Sequence, residues 1–223
     1  MASRAIKIVP SLLAADLARA GDEVNRVYAA GADFLHVDVL DGHFAPNLSF
    51  GPCVVAAIHK ACAIPMSVHL MVTDPELFIQ PYAEAGAHDL LFHAELDLDG
   101  VALARKIREL GVRPGVVLEM KTPPEHVAGL VGEVDVLMVM TIQDCGFTGQ
   151  AFRPEPASKI PVLRELFGEA VDIAVDGGVS ADNIGLLAKA GADFFVAGKA
   201  IFWADDPAQA IQNLRSAAEA ASE

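Results

Sequence analysis

Short runs of apolar and β-branched residues alternate along this chain with longer stretches in which apolar positions recur every three or four residues. Eight runs read as strands: 6–13, 34–40, 66–72, 89–94, 113–119, 135–142, 172–175 and 194–197. The stretches 18–29, 75–85, 101–110 and 181–190 between them carry the amphipathic spacing of helices. Val136-Leu137-Met138-Val139-Met140 and Leu90-Leu91-Phe92 are apolar on both faces. A parallel strand has that pattern when helices cover one side and a packed interior fills the other.

A degenerate repeat punctuates the alternation. Ala30-Gly31-Ala32-Asp33, Ala85-Gly86-Ala87-His88 and Ala190-Gly191-Ala192-Asp193 each follow a helical stretch and precede a strand run. Glycine at that place predicts a helix C-terminus that needs positive φ. Ser180 and Pro75 mark helix starts. Eight strand–helix units without a linker, a Pro/Ser-rich break or a charge block predict an α/β chain folded as a single (β/α)8 TIM barrel over residues 1–223. The rival, an open doubly wound sheet, usually carries a glycine-rich turn after its first strand. Val9-Pro10-Ser11-Leu12-Leu13 offers none.

Composition narrows the class further. The chain is 53% hydrophobic and 21% charged, which suits a large buried sheet rather than disorder. Its net charge of −14, from 16 Lys+Arg against 30 Asp+Glu, argues against nucleic acid and anionic membrane partners. An anionic small molecule stays compatible, because a bound metal and local amides can invert the field inside a pocket. No apolar run approaches the ~18 residues of a membrane span, and the faint leader-like N-terminal run is interrupted by Pro10 and Asp16. Cys53, Cys62 and Cys145 have no metal-type spacing, so free thiols in a cytoplasmic protein are expected.

The C-terminal strand ends form the active face of such a barrel, and Ser11, His36, Asp38, His69 and Asp176 fall there. Strand alternation puts His36 and Asp38 on one face. Each histidine alone could be a satisfied polar residue, but four ligand-type residues at the ends of three strands favour one divalent metal ion. Zn2+, Fe2+, Mn2+ and Co2+ all suit two imidazoles and two carboxylates. Paired carboxyls, Asp38 and Asp176, point to proton removal from one face of a carbon and delivery to the other. A hydrogen α to a carbonyl is too weakly acidic for a plain carboxylate, and a metal that stabilises the enediolate closes the gap. The logic is that of an epimerase without an organic cofactor. Glycine-bearing turns at Cys145–Gln150, Asp176–Gly178 and Ala197–Lys199 follow strands six, seven and eight and predict an anion cradle. Met71 and Met140 either present sulfur to the substrate or fill the core. His93 reads as a support behind the site or a plain core residue, and His43, His59, His88 and His126 as surface or turn residues.

Seven stretches, in order along nearly the whole chain, resemble the ribulose-phosphate 3-epimerase family. They are Pro10-Ser-Leu-Leu13, His36-Val-Asp-Val-Leu-Asp-Gly-His-Phe-Ala-Pro-Asn47, Val68-His-Leu-Met-Val72, Phe92-His-Ala-Glu95, Gly146-Phe-Thr-Gly-Gln150, Val175-Asp-Gly-Gly178 and Ala197-Gly-Lys-Ala-Ile-Phe202. The resemblance implies a metal-dependent TIM barrel that interconverts D-ribulose 5-phosphate and D-xylulose 5-phosphate. It implies His36, Asp38, His69 and Asp176 as metal ligands and Asp38 and Asp176 as the acid/base pair. Ser11 and His69 would touch the sugar; Gly146, Phe147, Thr148, Gly149, Gly177, Gly178, Gly198 and Lys199 would hold the phosphate end.

The departures from the family pattern cluster in that second half. Leu40 stands where a Met is usual, and 143–150 lacks a Pro and is one residue longer. Thr148 replaces a glycine at a position expected to need positive φ, and Lys199 replaces a Ser. Cys145, beside the same loop, is a candidate low-pKa thiol if the amides there lower its pKa, or an inert replacement in a lengthened turn. The expected partners are a phosphorylated ketose and, in a homo-oligomer, copies of the chain itself. Other readings are a 3-epimerase for another ketose such as D-allulose 6-phosphate, and a sugar-phosphate-binding paralogue without turnover. A sugar-phosphate decarboxylase or aldolase would want an Asp-x-Lys pair or a Schiff-base lysine. His36-Val37-Asp38 lacks the former, and Lys199 is the one candidate for the latter.

Overall fold

A computed structural model describes residues 5–222. Eight strands, β1 (Lys7–Pro10), β2 (Leu35–Leu40), β3 (Met66–Met71), β4 (Asp89–His93), β5 (Arg113–Leu118), β6 (Val136–Met140), β7 (Asp172–Asp176) and β8 (Phe194–Ala197), pair in parallel in the order β1-β8-β7-β6-β5-β4-β3-β2. A parallel bridge between Ser11 and His36 sets β1 beside β2 and brings the sheet to near closure. The fold is the expected (β/α)8 barrel. Helices α1 (Ala20–Ala29), α2 (Pro52–Ala61), α3 (Glu76–Glu84), α4 (Gly100–Glu109), α5 (Lys159–Phe167), α6 (Ile184–Ala190), α7 (Lys199–Phe202) and α8 (Pro207–Ser222) fill the connections and the C-terminus.

Differences from the sequence reading are local. The first strand stops at Pro10, and the chain turns into a 3-10 helix in which Ala14 N–H bonds the Ser11 carbonyl. The helix expected at 18–29 begins as a separate 3-10 turn, Leu17–Arg19, capped by the Asp16 carboxylate, before α1 starts. The one expected at 181–190 starts only at Ile184, because Asn183 Oδ1 accepts the Ser180 N–H and holds 180–183 as a turn. Between β5 and β6 the connection is a 3-10 helix, Pro124–Leu130, entered through a Pro-Pro pair.

The Ala-Gly-Ala-Asp repeat has a double function in the barrel. Gly31 and Gly191 take φ of 92° and 113°, closing α1 and α6 with bonds from Ala32 N–H to Val27 O and from Ala192 N–H to Leu187 O. The aspartate that follows then caps a neighbouring strand at its N-terminal end. Asp33 accepts the Ile8 N–H at 2.7 Å and Asp193 the Ile173 N–H at 2.8 Å, and each also pairs with an arginine, Arg215 and Arg164.

Two apolar layers result. One lies between barrel and helices; the other fills the barrel itself with Val9, Phe34, Leu91, Val117, Val136, Met138, Ala174, Phe194 and neighbours. Below this plug, Lys7, Asp172, Arg113 and Asp89 form a chain of ion pairs across the N-terminal strand ends. Above it sits the polar mouth. Two residues of the long β2 motif brace that mouth. Asp41 accepts the backbone N–H groups of His43, Phe44 and Thr73, so its carboxyl lies at about 2 despite what burial it has. Asn47 Nδ2 donates to the Gly146 carbonyl at 2.8 Å, tying the loop after β2 to the loop after β6. No helix among the described residues is long and apolar enough to cross a membrane.

Gly115 lies in this plug, where an added Cβ would stand 2.7 Å from Leu91 Cγ and 3.1 Å from Val136 Cβ. Gly115→Ala is therefore expected to destabilise the barrel by about 1–3 kcal/mol through overpacking. A fall of the urea midpoint at constant m-value checks it; an unchanged midpoint would mean that the plug has slack.

Candidate active site

Register alone assembles the polar mouth. Asp38 on β2 is the in-register neighbour of His69 on β3, and Met140 on β6 that of Asp176 on β7. His36 sits two residues before Asp38 on the same strand face. One donor atom each from His36, Asp38, His69 and Asp176 lies within 4.8 Å of the others. His36 Nε2 is 3.2 Å from Asp38 Oδ1 and 3.8 Å from Asp176 Oδ2, and His69 Nδ1 is 3.3 Å from Asp38 Oδ1. Both imidazoles are fully buried, and neither nitrogen of His36 has a hydrogen-bond partner among the described residues. An orphaned imidazole in a protein interior is costly. A cation bound at about 2.0–2.2 Å from each donor would satisfy Nε2, so the residues present fit a divalent metal.

The two carboxyls are pushed in opposite directions. Burial disfavours the charge of Asp38, but the adjacent His36 and His69 outweigh it and hold the carboxyl far below its ordinary value. Burial raises Asp176, and the negative charge of Asp38 raises it further. Burial also lowers His69, to about 4, leaving it a neutral imidazole. His36 moves upward, because the Asp38 and Asp176 carboxylates outweigh its burial.

Asp38 and Asp176 open into a cavity of about 450 Å3 at the mouth. Ser11, Gly146, Phe147, Thr148, Gly149, Gly177, Gly178, Gly198 and Lys199 line it, as do Met71 and Met140. His69 is set back from its surface, fully buried behind Asp38. Ser11 is engaged in the site itself, since its hydroxyl donates to Asp38 Oδ2 at 2.8 Å. Gly177 and Gly178, at φ of 121° and 66°, make the tight turn after β7. A Cβ on either would stand within 3 Å of backbone, at Ile142 N or Phe152 N, so only glycine fits.

Three residues that the sequence singled out in this half of the site have defined surroundings. Among the described residues no non-glycine adopts positive φ, so Thr148 sits without backbone strain; Gly146 and Gly149 on either side take the left-handed conformations. Lys199 leans over the Trp203 ring, its Nζ 5.0 Å from the centroid, at the rim of the cavity. Cys145 is the reverse of an acidic thiol. Burial and the Glu119 carboxylate, 3.8 Å from Sγ, push it up to about 12.

Behind His69 lies a group that the sequence reading left largely unassigned. His93 Nε2 is 2.9 Å from His69 Nε2, and His93 Nδ1 is 3.0 Å from Glu95 Oε2. Glu95 is held at about 2, against its burial, by bonds from His93, Thr122 and the Glu119 N–H. Its signal was available in the sequence: His93 and Glu95 share the two-residue spacing of His36 and Asp38.

Solved structures of 3-hexulose-6-phosphate synthase share the fold. The Salmonella typhimurium protein superposes with a TM-score of 0.72 at 22% identity over 95% of this chain and 98% of that one. At that identity the likeness speaks for the fold alone. Sequence comparison goes further. The chain is 46% identical to ribulose-phosphate 3-epimerase of Mycobacterium tuberculosis over 96% of this chain and 94% of that protein. It is 41% identical to the cytoplasmic isoform of the same enzyme from Oryza sativa, over 98% and 96%. Against the Bacillus subtilis enzyme the identity is 38%, over 94% and 98%. The profile of the ribulose-phosphate 3 epimerase family matches residues 7–202, and the chain belongs to that family.

Proposed function

We propose that this chain is a metal-dependent isomerase that inverts C3 of a ketose phosphate, interconverting D-ribulose 5-phosphate and D-xylulose 5-phosphate. The observation that carries the reading is the carboxyl pair. Asp38 on β2 and Asp176 on β7 stand three strand positions apart around the barrel, face one cavity and have opposite proton affinities. Asp38, the carboxyl of lower proton affinity, takes the proton from one face of C3, while Asp176, that of higher affinity, supplies a proton to the other. The back reaction exchanges the roles. Ser11 holds Asp38 in place through its 2.8 Å hydrogen bond.

His36, Asp38, His69 and Asp176 are the residues that would hold a single divalent cation, with Zn2+, Fe2+, Mn2+ and Co2+ all compatible. When bound, the ion supplies positive charge that stabilises the enediolate. Proton transfer of this kind asks for no organic cofactor. The glycine turns at Gly146, Gly149, Gly177, Gly178 and Gly198, with Phe147 and Thr148, would surround the phosphate end through backbone N–H groups. Among the described residues Lys199 has no carboxylate partner, so its charge is available there. An overall acidic protein with free thiols suits a cytoplasmic setting and neither nucleic-acid nor anionic membrane partners.

Incubated in D2O with D-ribulose 5-phosphate, the metal-loaded protein is expected to exchange C3 hydrogen and form xylulose 5-phosphate, followed by NMR. Asp38→Asn and Asp176→Asn should each lower the rate by about 10²–10⁴-fold. A loaded wild-type protein that exchanges nothing would sink the assignment. Stripping the metal with a chelator should abolish turnover, and returning a divalent cation should restore it. Lys199→Ser should raise KM for the phosphorylated ketose more than it lowers kcat, and should flatten the dependence of KM on salt. An unchanged KM and salt slope would remove Lys199 from the phosphate end.

A further inference from the structure

We infer that Glu95 and His93 are positioning residues that fix the tautomer of His69 and thereby set metal affinity. The inference rests on the metal site proposed above and concerns a part of the chain that neither touches substrate nor ligates. The starting point is the 2.9 Å contact between His69 Nε2 and His93 Nε2, in which only one of the two nitrogens can carry the hydrogen. The rings are inclined by 23°, and both are fully buried. Phe44 packs on His93 at 4.4 Å between ring centroids and helps to keep water from the pair.

The direction of the chain follows from its far end. Glu95 is an ionised carboxylate and can only accept. Its Oε2 faces His93 Nδ1 at 3.0 Å, so the His93 hydrogen sits on Nδ1 and its Nε2 presents a lone pair. That lone pair takes the hydrogen of His69 Nε2–H. His69 Nδ1 is then left with its lone pair pointed at Asp38 and the donor cluster, the state a metal ligand must have. Glu95 itself cannot turn, because Oε1 accepts from the Glu119 N–H at 2.9 Å and from the Thr122 hydroxyl.

A plain buttress of the loop after β4 would use the same contacts, and Glu95→Gln separates the two roles. The Glu119 N–H demands an oxygen, so the glutamine oxygen is claimed there and its NH2 faces His93 Nδ1. His93 must then accept at Nδ1 and carry its hydrogen on Nε2, opposite the His69 Nε2–H. Two donors meet at the 2.9 Å contact. The isosteric change therefore opposes the ligand state of His69 actively, whereas Glu95→Ala only removes the acceptor. A supporting role predicts the reverse order, with alanine worse.

Zn2+ dissociation constants from competition with a chromophoric chelator, at one pH, decide between them. The expected result is a 10–100-fold weaker constant for Glu95→Gln, a loss at least as large as that of Glu95→Ala, and wild-type affinity for Thr122→Val, which loosens the loop but leaves Oε2 on His93. The metal-free melting temperature of Glu95→Gln should stay near that of wild type. Retained affinity in Glu95→Gln, a larger loss in Glu95→Ala, or an equal loss in Thr122→Val would each overturn the inference. Wild-type protein that binds no divalent cation would overturn the metal site itself, a failure distinct from the other three.

Discussion

Much of this molecule is arranged around the desolvated carboxylate of Asp38. It is buried at the mouth of the barrel among His36, His69 and the Ser11 hydroxyl, at contacts of 2.8–3.3 Å. A charge in that position is costly unless it is paired and hydrogen-bonded. The pairing comes from β2, β3 and the residue just after β1, so it exists only when these strands are in correct register. A slip of one residue would turn every one of these side chains toward the helices. Burial raises the proton affinity of Asp176 and the same charge raises it further, so the buried carboxylate that organises the donor cluster also helps to set the two carboxyls apart.

The barrel is layered to support that arrangement. Apolar side chains plug its middle, ion pairs close its N-terminal end, and the reactive groups occupy the open end alone. The plug makes the floor of the site stiff, because close-packed interiors transmit strain rather than absorb it. The loops above it are tied together by Asp41 and Asn47, so two residues of the long β2 motif serve geometry, while His36 and Asp38 of the same motif belong to the donor cluster. Conversely, the glycine-rich side of the cavity differs from the family pattern without strain. Thr148 has an ordinary backbone conformation between two left-handed glycines, and Lys199 rests on Trp203, whose indole N–H is itself anchored on the Ala14 carbonyl at 2.9 Å.

What could be read from the chain alone was whatever depends on neighbours in sequence. Alternating apolar runs, the glycine-closed helix ends and the His36-Val-Asp38 spacing follow from local periodicity and backbone sterics, and they sufficed for the barrel and for the donor set. Element ends shifted by a few residues where side chains competed for backbone groups, as Asn183 does before the helix α6. The tertiary structure alone decided what depends on residues far apart in the chain. The 2.9 Å contact between His69 and His93, the Ser11–Asp38 bond, and the burial and Glu119 carboxylate that push the Cys145 thiol up rather than down arise where different strands or loops meet. Proton affinity belongs to the same class, since Asp38 and Asp176 are the same residue type and differ only in the charges and burial that folding sets around each.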